Sequence, residues 1–86
     1  MRKKVKYIIF ENNGVETPIV FPDTLAHVDM AQGREIVSAG FVDFYRVGDF
    51  VAVGCYGESV SLKVASRKQK DEAVILKEFN LEEDEL

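Results

Sequence analysis

The fold is decided at the middle of the 86-residue chain by the stretch VSAGFVDF, Val37–Phe44. Successive side chains of a β-strand point to opposite faces of a sheet, and here both alternating sets contain apolar residues. A strand that is apolar on both faces is typical of the centre of a sheet. Gly40 then marks a bend, a bulge, or a place where a neighbouring side chain packs over the backbone, and a ligand contact at this glycine is the alternative.

Two strands joined by a tight turn are predicted before this stretch. The first is Val5–Glu11, and the return strand is Val15–Phe21. Asn12-Asn13-Gly14 lies between them and favours a hairpin, because asparagine and glycine adopt positive φ at low cost. Pro18 lacks a backbone N–H, so the return strand is expected at an edge of the sheet or to carry a bulge.

A short helix is expected next. It begins at Pro22-Asp23-Thr24, where proline and a capping side chain favour a helix start, and it ends at Gly33. Its predicted core face consists of three apolar residues at helical spacing: Leu25, Val28 and Ala31.

Three strands and a longer helix complete the predicted elements. The strands are Arg34–Arg46, Phe50–Tyr56 and Ser59–Val64, and Val47-Gly48-Asp49 forms the turn between the first two. Ser66 and Gln69 have the spacing of a capping box, which predicts a helix start. The buried face of this helix is expected to contain Ala73, Val74, Leu76 and Phe79.

These elements predict an α+β fold. The order along the chain is β-β-α-β-β-β-α, with a mostly antiparallel sheet of four or five strands packed by the C-terminal helix. We expect a single domain over residues 1–81 and an acidic, frayed tail over residues 82–86.

Composition limits the classes of function. The formal net charge is −4 and the chain has one cysteine, so it cannot form an internal disulfide, and a reducing cytoplasm is the expected location. Nucleic-acid binding is not expected of the body of the domain, since phosphate contacts need clustered cations. No apolar run approaches the roughly 18 residues of a membrane span, so no membrane association is expected.

Candidate catalytic and metal-binding residues are few. His27 could share a helix face with Asp23, but a metal site recruits three or four ligands, and a surface histidine near carboxylates is the favoured interpretation. Cys55 lies in an apolar strand, where cysteine packs as a small hydrophobic residue. We therefore expect no enzyme activity, no metal and no cofactor.

Two polar segments are candidate contact sites. The strand end at Gly54–Ser59 gathers Tyr56, Glu58 and Ser59. Arg67, Lys68 and Lys70 are expected in the first turn of the second helix, where the helix dipole disfavours cations, and they suggest contact with an acidic partner.

Exposed aromatic side chains suggest a protein-interaction surface. A sheet with one helix layer leaves its other face or an edge in need of cover, and aromatic residues dominate interface energetics. The candidates are Tyr7, Tyr45, Phe50 and Tyr56. We expect a homo-oligomer, most simply a dimer. A nucleic-acid-associated or host-inhibitory protein that uses its charged ends is the alternative.

One combination of segments has a counterpart elsewhere: Ile19-Val20-Phe21-Pro22, Val37–Val42, Gly57–Leu62 and Ser66-Arg67. Over residues 7–79 the chain thereby resembles small uncharacterised proteins encoded by tailed phages and prophages. The resemblance implies an accessory role inside a bacterial cell, with a phage or host protein as partner. It implies no activity and no functional residue.

Overall fold

The computed structural model describes residues 4–79. The elements follow in the order β1 (Val5–Asn12), β2 (Val15–Pro22), α1 (His27–Ala31), β3 (Glu35–Val47), β4 (Phe50–Tyr56), β5 (Glu58–Ser59), β6 (Val64–Ala65) and α2 (Gln69–Glu78).

Four strands form one antiparallel sheet in the order β2-β1-β3-β4. β5 and β6 form a separate two-stranded sheet. The α+β fold with its C-terminal helix on the sheet is confirmed, and β3, which contains VSAGFVDF, is one of the two central strands.

The first hairpin forms as predicted. Asn13 and Gly14 both have positive φ, at 56° and 81°, so the two-residue turn matches the twist of the strands on either side. Pro18 lies opposite Ile9 in β2, which is an edge strand of the sheet. The missing N–H of Pro18 is therefore tolerated.

Both faces of the main sheet are covered over its central part. On one face α2 contributes Ile75 to a core cluster that consists of Tyr7, Ile9, Val42, Val53 and Cys55. The opposite face buries Ile8, Phe21 and Ala39. Met30, just within α1, and Leu62 and Val64 around the small sheet pack against that second cluster. The expectation of an open face is therefore wrong at the centre of the sheet.

The first helix is shorter than predicted and buries a different face. It spans only His27–Ala31, and its buried residues are His27 and Ala31. Leu25 and Val28, predicted for the core, are exposed. The segment before the helix is a turn in which the Leu25 N–H donates to the Pro22 carbonyl at 3.2 Å, so the helix begins at His27 instead of at Pro22-Asp23-Thr24.

The predicted strand Ser59–Val64 is wrong. The segment is a hairpin, because a turn separates Glu58–Ser59 from Val64–Ala65. Lys63 adopts a left-handed φ of 57°, and the Leu62 N–H donates to Ser59 Oγ at 3.2 Å. These local bonds replace the extended conformation that the alternating pattern indicated.

The second helix begins at Gln69, so the predicted capping box does not form. Ser66 Oγ instead accepts the N–H of Lys68 at 2.9 Å, and Lys68 has a positive φ of 56°. The buried residues of α2 are Asp71 and Ile75, one turn apart. The residues predicted for the buried face are half-buried or exposed: Ala73, Val74, Leu76 and Phe79.

Gly40 is a point of close approach rather than a bulge. A Cβ at this position would lie 2.5 Å from the Tyr56 carbonyl oxygen and 3.2 Å from Ser66 Cβ. The register shift between β1 and β3 lies elsewhere, between Ile9 and Phe10. Beyond the glycine Val42 is buried, Phe41 is half-buried and Phe44 is exposed.

The predicted acidic tail, residues 82–86, lies outside the described residues. Within residues 4–79 no helix is long and apolar enough to cross a membrane.

Alanine substitutions of Gly40 on β3 and Gly54 on β4 should show whether a steric conflict, and not only the preference of a strand for alanine over glycine, determines stability. Gly40→Ala is expected to lower the free energy of unfolding by about 2 kcal/mol, because backbone at Tyr56 must move to admit the methyl group. Gly54→Ala is the matched control, since its nearest contact would be Tyr45 Cε1 at 3.8 Å. Urea denaturation measures both, and equal stability of the two variants would contradict the close approach.

Candidate functional site

Asp71 is a fully buried carboxylate whose acceptor positions are all occupied. Oδ2 accepts the Tyr7 hydroxyl at 2.5 Å and the Arg67 N–H at 2.8 Å. Oδ1 accepts the Ser38 hydroxyl at 2.9 Å and Arg67 Nε at 2.7 Å. A carboxylate offers about four acceptor sites, so none is left for a substrate. This group joins α2 to β1 and β3 and is structural.

Arg67 is the cation of this network. Its Nη1 and Nη2 donate to the two carboxylate oxygens of Glu16 at 3.0 and 2.8 Å, while Nε donates to Asp71. The hydrogen bonds from Arg67 lower the pKa of Glu16, and the Glu16 carboxylate in turn raises the pKa of Arg67. Arg67 was expected to face an acidic partner, and that expectation is wrong because two carboxylates already hold it. Lys68 and Lys70 remain exposed.

Tyr7 belongs to the core and not to a surface. Its ring is fully buried, and its Oη lies 2.7 Å from Ser66 Oγ in addition to the bond with Asp71. Burial, reinforced by the Asp71 carboxylate, raises the pKa of Tyr7 well above its usual range. Tyr7 is therefore a neutral structural donor, and its prediction as an interface aromatic is wrong.

His27 is buried between aromatic rings rather than exposed beside carboxylates. Nε2 lies 2.8 Å from the Gly40 carbonyl oxygen, to which it donates, and the ring packs edge-on against Phe21 and Phe41 at 5.6 and 5.8 Å. Burial lowers the pKa of His27, which favours the neutral ring. Among residues 4–79 no three His, Cys, Asp or Glu side chains are placed to hold a metal ion.

Cys55 packs in the core cluster beneath α2, as predicted. Burial raises the pKa of its thiol to about 12, so the reactive thiolate is not populated near neutral pH. The backbone N–H of Cys55 donates to Glu72 Oε2 at 2.9 Å. This bond places a side chain of α2 on the outer edge of β4.

The polar junction after β4 does not form a single site. Ser59 is buried and its hydroxyl accepts a backbone bond within the following turn, whereas Glu58 is exposed. Tyr56 is exposed at 39% and stacks on Phe41 with the ring centroids 5.7 Å apart. Of these three predicted contact residues, Ser59 is placed wrongly, because it stabilises the turn.

The remaining candidates lie on a feature that we call the distal hairpin, residues 43–54. β1 begins at Val5, opposite Val42, so residues 43–47 of β3 and 50–54 of β4 pair only with each other within the main sheet. Four large apolar side chains on this hairpin are 39–55% exposed: Phe44, Tyr45, Val47 and Phe50. Tyr45 and Phe50 were predicted from the sequence as interface residues, whereas Phe44 was not.

Two of the three aromatic side chains of the distal hairpin, Tyr45 and Phe50, lie on one face, whereas Phe44 pairs with Val53 and lies on the face toward α2. Val47 pairs with Phe50 and Tyr45 with Ala52, so these four side chains share the face opposite α2. Tyr56 lies on the same face further along β4. Two small residues, Ala52 and Gly54, separate Phe50 from Tyr56.

Comparison of the chain with protein-family models, with curated proteins and with solved structures found no match. The resemblance to tailed-phage proteins therefore stays a prediction. The function has to be inferred from the surface that the fold exposes.

Replacing Asp71 by asparagine should show how strongly the network holds α2. The amide keeps one acceptor oxygen but turns an NH₂ group toward donors, so we expect Asp71→Asn to lower the free energy of unfolding by about 3 kcal/mol. Glu78→Gln, exposed on the same helix, should change it by less than about 0.5 kcal/mol. Chemical denaturation monitored by far-UV circular dichroism checks both, and two similar small changes would contradict a structural role for Asp71.

Proposed function

We propose that this protein is a small interaction module that self-associates through the distal hairpin. The proposal rests on the exposed apolar side chains of the distal hairpin, which extends past Val5 at the N-terminal end of β1. These are Phe44, Tyr45, Val47 and Phe50. Tyr45, Val47 and Phe50 share one face of the hairpin, and exposed apolar surface of this kind marks interaction sites, with tyrosine and phenylalanine as common interface anchors.

The hairpin needs cover that the described chain does not supply. A two-stranded antiparallel hairpin is marginally stable alone in water and gains stability from further strands or from packing. Elsewhere the main sheet has α2 on one face and α1 with the small sheet on the other. An association that covers the distal hairpin would stabilise its extended conformation.

A second copy of this chain is the occupant that the edge chemistry favours. The outer edge strand β4, Phe50–Tyr56, contains no charged residue and no proline. Natural edge strands usually carry such residues to prevent pairing. The opposite edge strand, β2, does carry them, as Glu16 and Pro18. Two-fold dimers are the commonest oligomers, and between the Gly48-Asp49 turn and the Glu72 carboxylate the strand itself carries no charge that would repel a second copy.

The cellular setting extends this proposal. If the resemblance to phage proteins is correct, the module acts as an accessory protein in the bacterial cytoplasm, where a phage or host protein could add to the self-association. The alternative role in nucleic-acid binding depends on Arg2, Lys3 and Lys4 and on residues 82–86, of which only Lys4 belongs to the described residues. Lys4, the neighbouring cation that is described, lies over the Phe41 ring at 5.4 Å.

Truncating the hairpin aromatics should weaken association more than folding. Tyr45→Ala and Phe50→Ala are each expected to raise the dissociation constant at least about tenfold, because each removes an anchor ring. Val60→Ala is the control, since Val60 is 79% exposed but lies outside the hairpin. Sedimentation equilibrium measures association. Urea denaturation at protein concentrations below the dissociation constant measures the stability of the monomer.

Two results would overturn the proposal. One is a wild-type chain that sediments as a monomer across the accessible concentration range. The other is a pair of aromatic variants that lose association only in proportion to their loss of folded protein.

A further inference from the structure

The outer edge of β4 presents its backbone groups at alternate residues. Val47 and Phe50 close the two-residue turn Gly48-Asp49 and face each other as partners. In an antiparallel pair, successive residues direct their N–H and C=O groups alternately toward and away from the partner strand. The Cys55 N–H points away from β3, because it donates to Glu72. Val51 and Val53 therefore also direct their backbone groups outward.

Glu72 closes one end of this edge. Its carboxylate accepts the Cys55 N–H at 2.9 Å, so that group is already occupied within the chain. At the other end of β4, the turn at Gly48-Asp49 precedes the first residue of the strand. Between these two limits the outward backbone groups belong to Val51 and Val53.

We propose that β4 pairs antiparallel with β4 of a second copy about a two-fold axis at Ala52. In this register Val51 of one chain forms hydrogen-bonded pairs with Val53 of the other, twice by symmetry. The proposal rests on the self-association proposed above and specifies its geometry. The two sheets then form one continuous eight-stranded sheet.

This register keeps the Glu72 bond, whereas a neighbouring register breaks it. With the axis at Val53 instead, Cys55 would pair with Val51 of the second copy, and its N–H would have to leave the Glu72 carboxylate. A hydrogen bond to a charged group is stronger than one between neutral groups, so its loss disfavours that arrangement. The axis at Ala52 leaves the Cys55 N–H bonded to Glu72.

Side chains on the face opposite α2 fit the Ala52 axis. The two Ala52 residues meet at the axis, and Phe50 of each chain lies opposite Gly54 of the other. Cross-strand pairing of an aromatic ring with a glycine covers the exposed backbone at the glycine. Gly54 is already flanked by Tyr45, since a Cβ there would lie 3.8 Å from Tyr45 Cε1. The exposed rings of Tyr45 and Phe50 would thus meet around Gly54 from the two chains.

Cysteine cross-linking tests the register directly. In the Ala52→Cys variant the two new thiols lie at a non-hydrogen-bonded pair, with Cα atoms about 4.5 Å apart, which is within disulfide range. Gly54→Cys is the matched control on the same strand and face. Its two thiols would be offset by four residues, about 14 Å along the strand. Both variants carry Cys55→Ser, so that the native thiol cannot contribute.

The expected result is a covalent dimer after mild oxidation of Ala52→Cys and a monomer from Gly54→Cys, as measured by non-reducing gel and intact mass. Val53→Cys, tested in the same background, should link less than Ala52→Cys, because the two-fold axis does not pass through it. Stronger linking at position 53, or equal linking at 52 and 54, would overturn the register.

Sedimentation of the reduced variants separates the two proposals. If the reduced chains associate but position 52 does not cross-link, the edge-pairing inference is wrong and the self-associating module stands. If neither reduced variant nor the wild-type chain associates, both proposals fail.

Discussion

The carboxylate of Asp71 is the group on which the arrangement of this protein depends. A buried charge is costly unless it is fully hydrogen-bonded, and here Tyr7, Ser38 and Arg67 supply four donors. These donors come from β1, from β3 and from the segment before α2. The network therefore fixes where α2 lies over the sheet. Arg67 carries the connection further to Glu16 on the edge strand β2, so the network reaches three strands of the main sheet.

The position of α2 decides which part of the sheet remains open. Ile75, one turn after Asp71, enters the core between β1 and β4. Glu72, the next residue after Asp71, reaches the outer edge of β4 and occupies the Cys55 N–H. The same helix thus occupies one end of the β4 edge, and the outward backbone groups of Val51 and Val53 have no hydrogen-bond partner within residues 4–79. An uncovered edge beside exposed aromatic rings is the feature from which self-association is inferred.

Local chemistry predicted much of the fold but little of the polar network. The Asn13-Gly14 turn, the edge position of Pro18 and the central strand through Gly40 each follow from backbone preferences or side-chain alternation. Tyr7 and Asp71 are 64 residues apart, and no local pattern indicates that they meet. A charged residue on a helix is ordinarily expected at the surface, so the sequence does not single out Asp71 as a buried residue.

The sequence predicted only those residues of the candidate surface that a local strand pattern places. Tyr45, Phe50 and Tyr56 follow a strand pattern that continues past the covered sheet, and they are exposed as expected. Ser59 and Arg67 were misplaced because their partners, a turn N–H and two carboxylates, are set by the tertiary fold. A signal for Asp71 does exist in the sequence, since it lies four residues after Arg67 and four before Ile75, on one helical face.

Amide hydrogen exchange of β4 at low and high protein concentration distinguishes an edge that pairs with a second copy from one that stays open. The Val51 and Val53 amides should exchange more slowly as the protein concentration rises, because a second copy hydrogen-bonds them. The Cys55 amide should be protected equally at both concentrations through Glu72. Exchange at Val51 and Val53 that does not depend on concentration, or a concentration dependence confined to Cys55, would contradict this pairing.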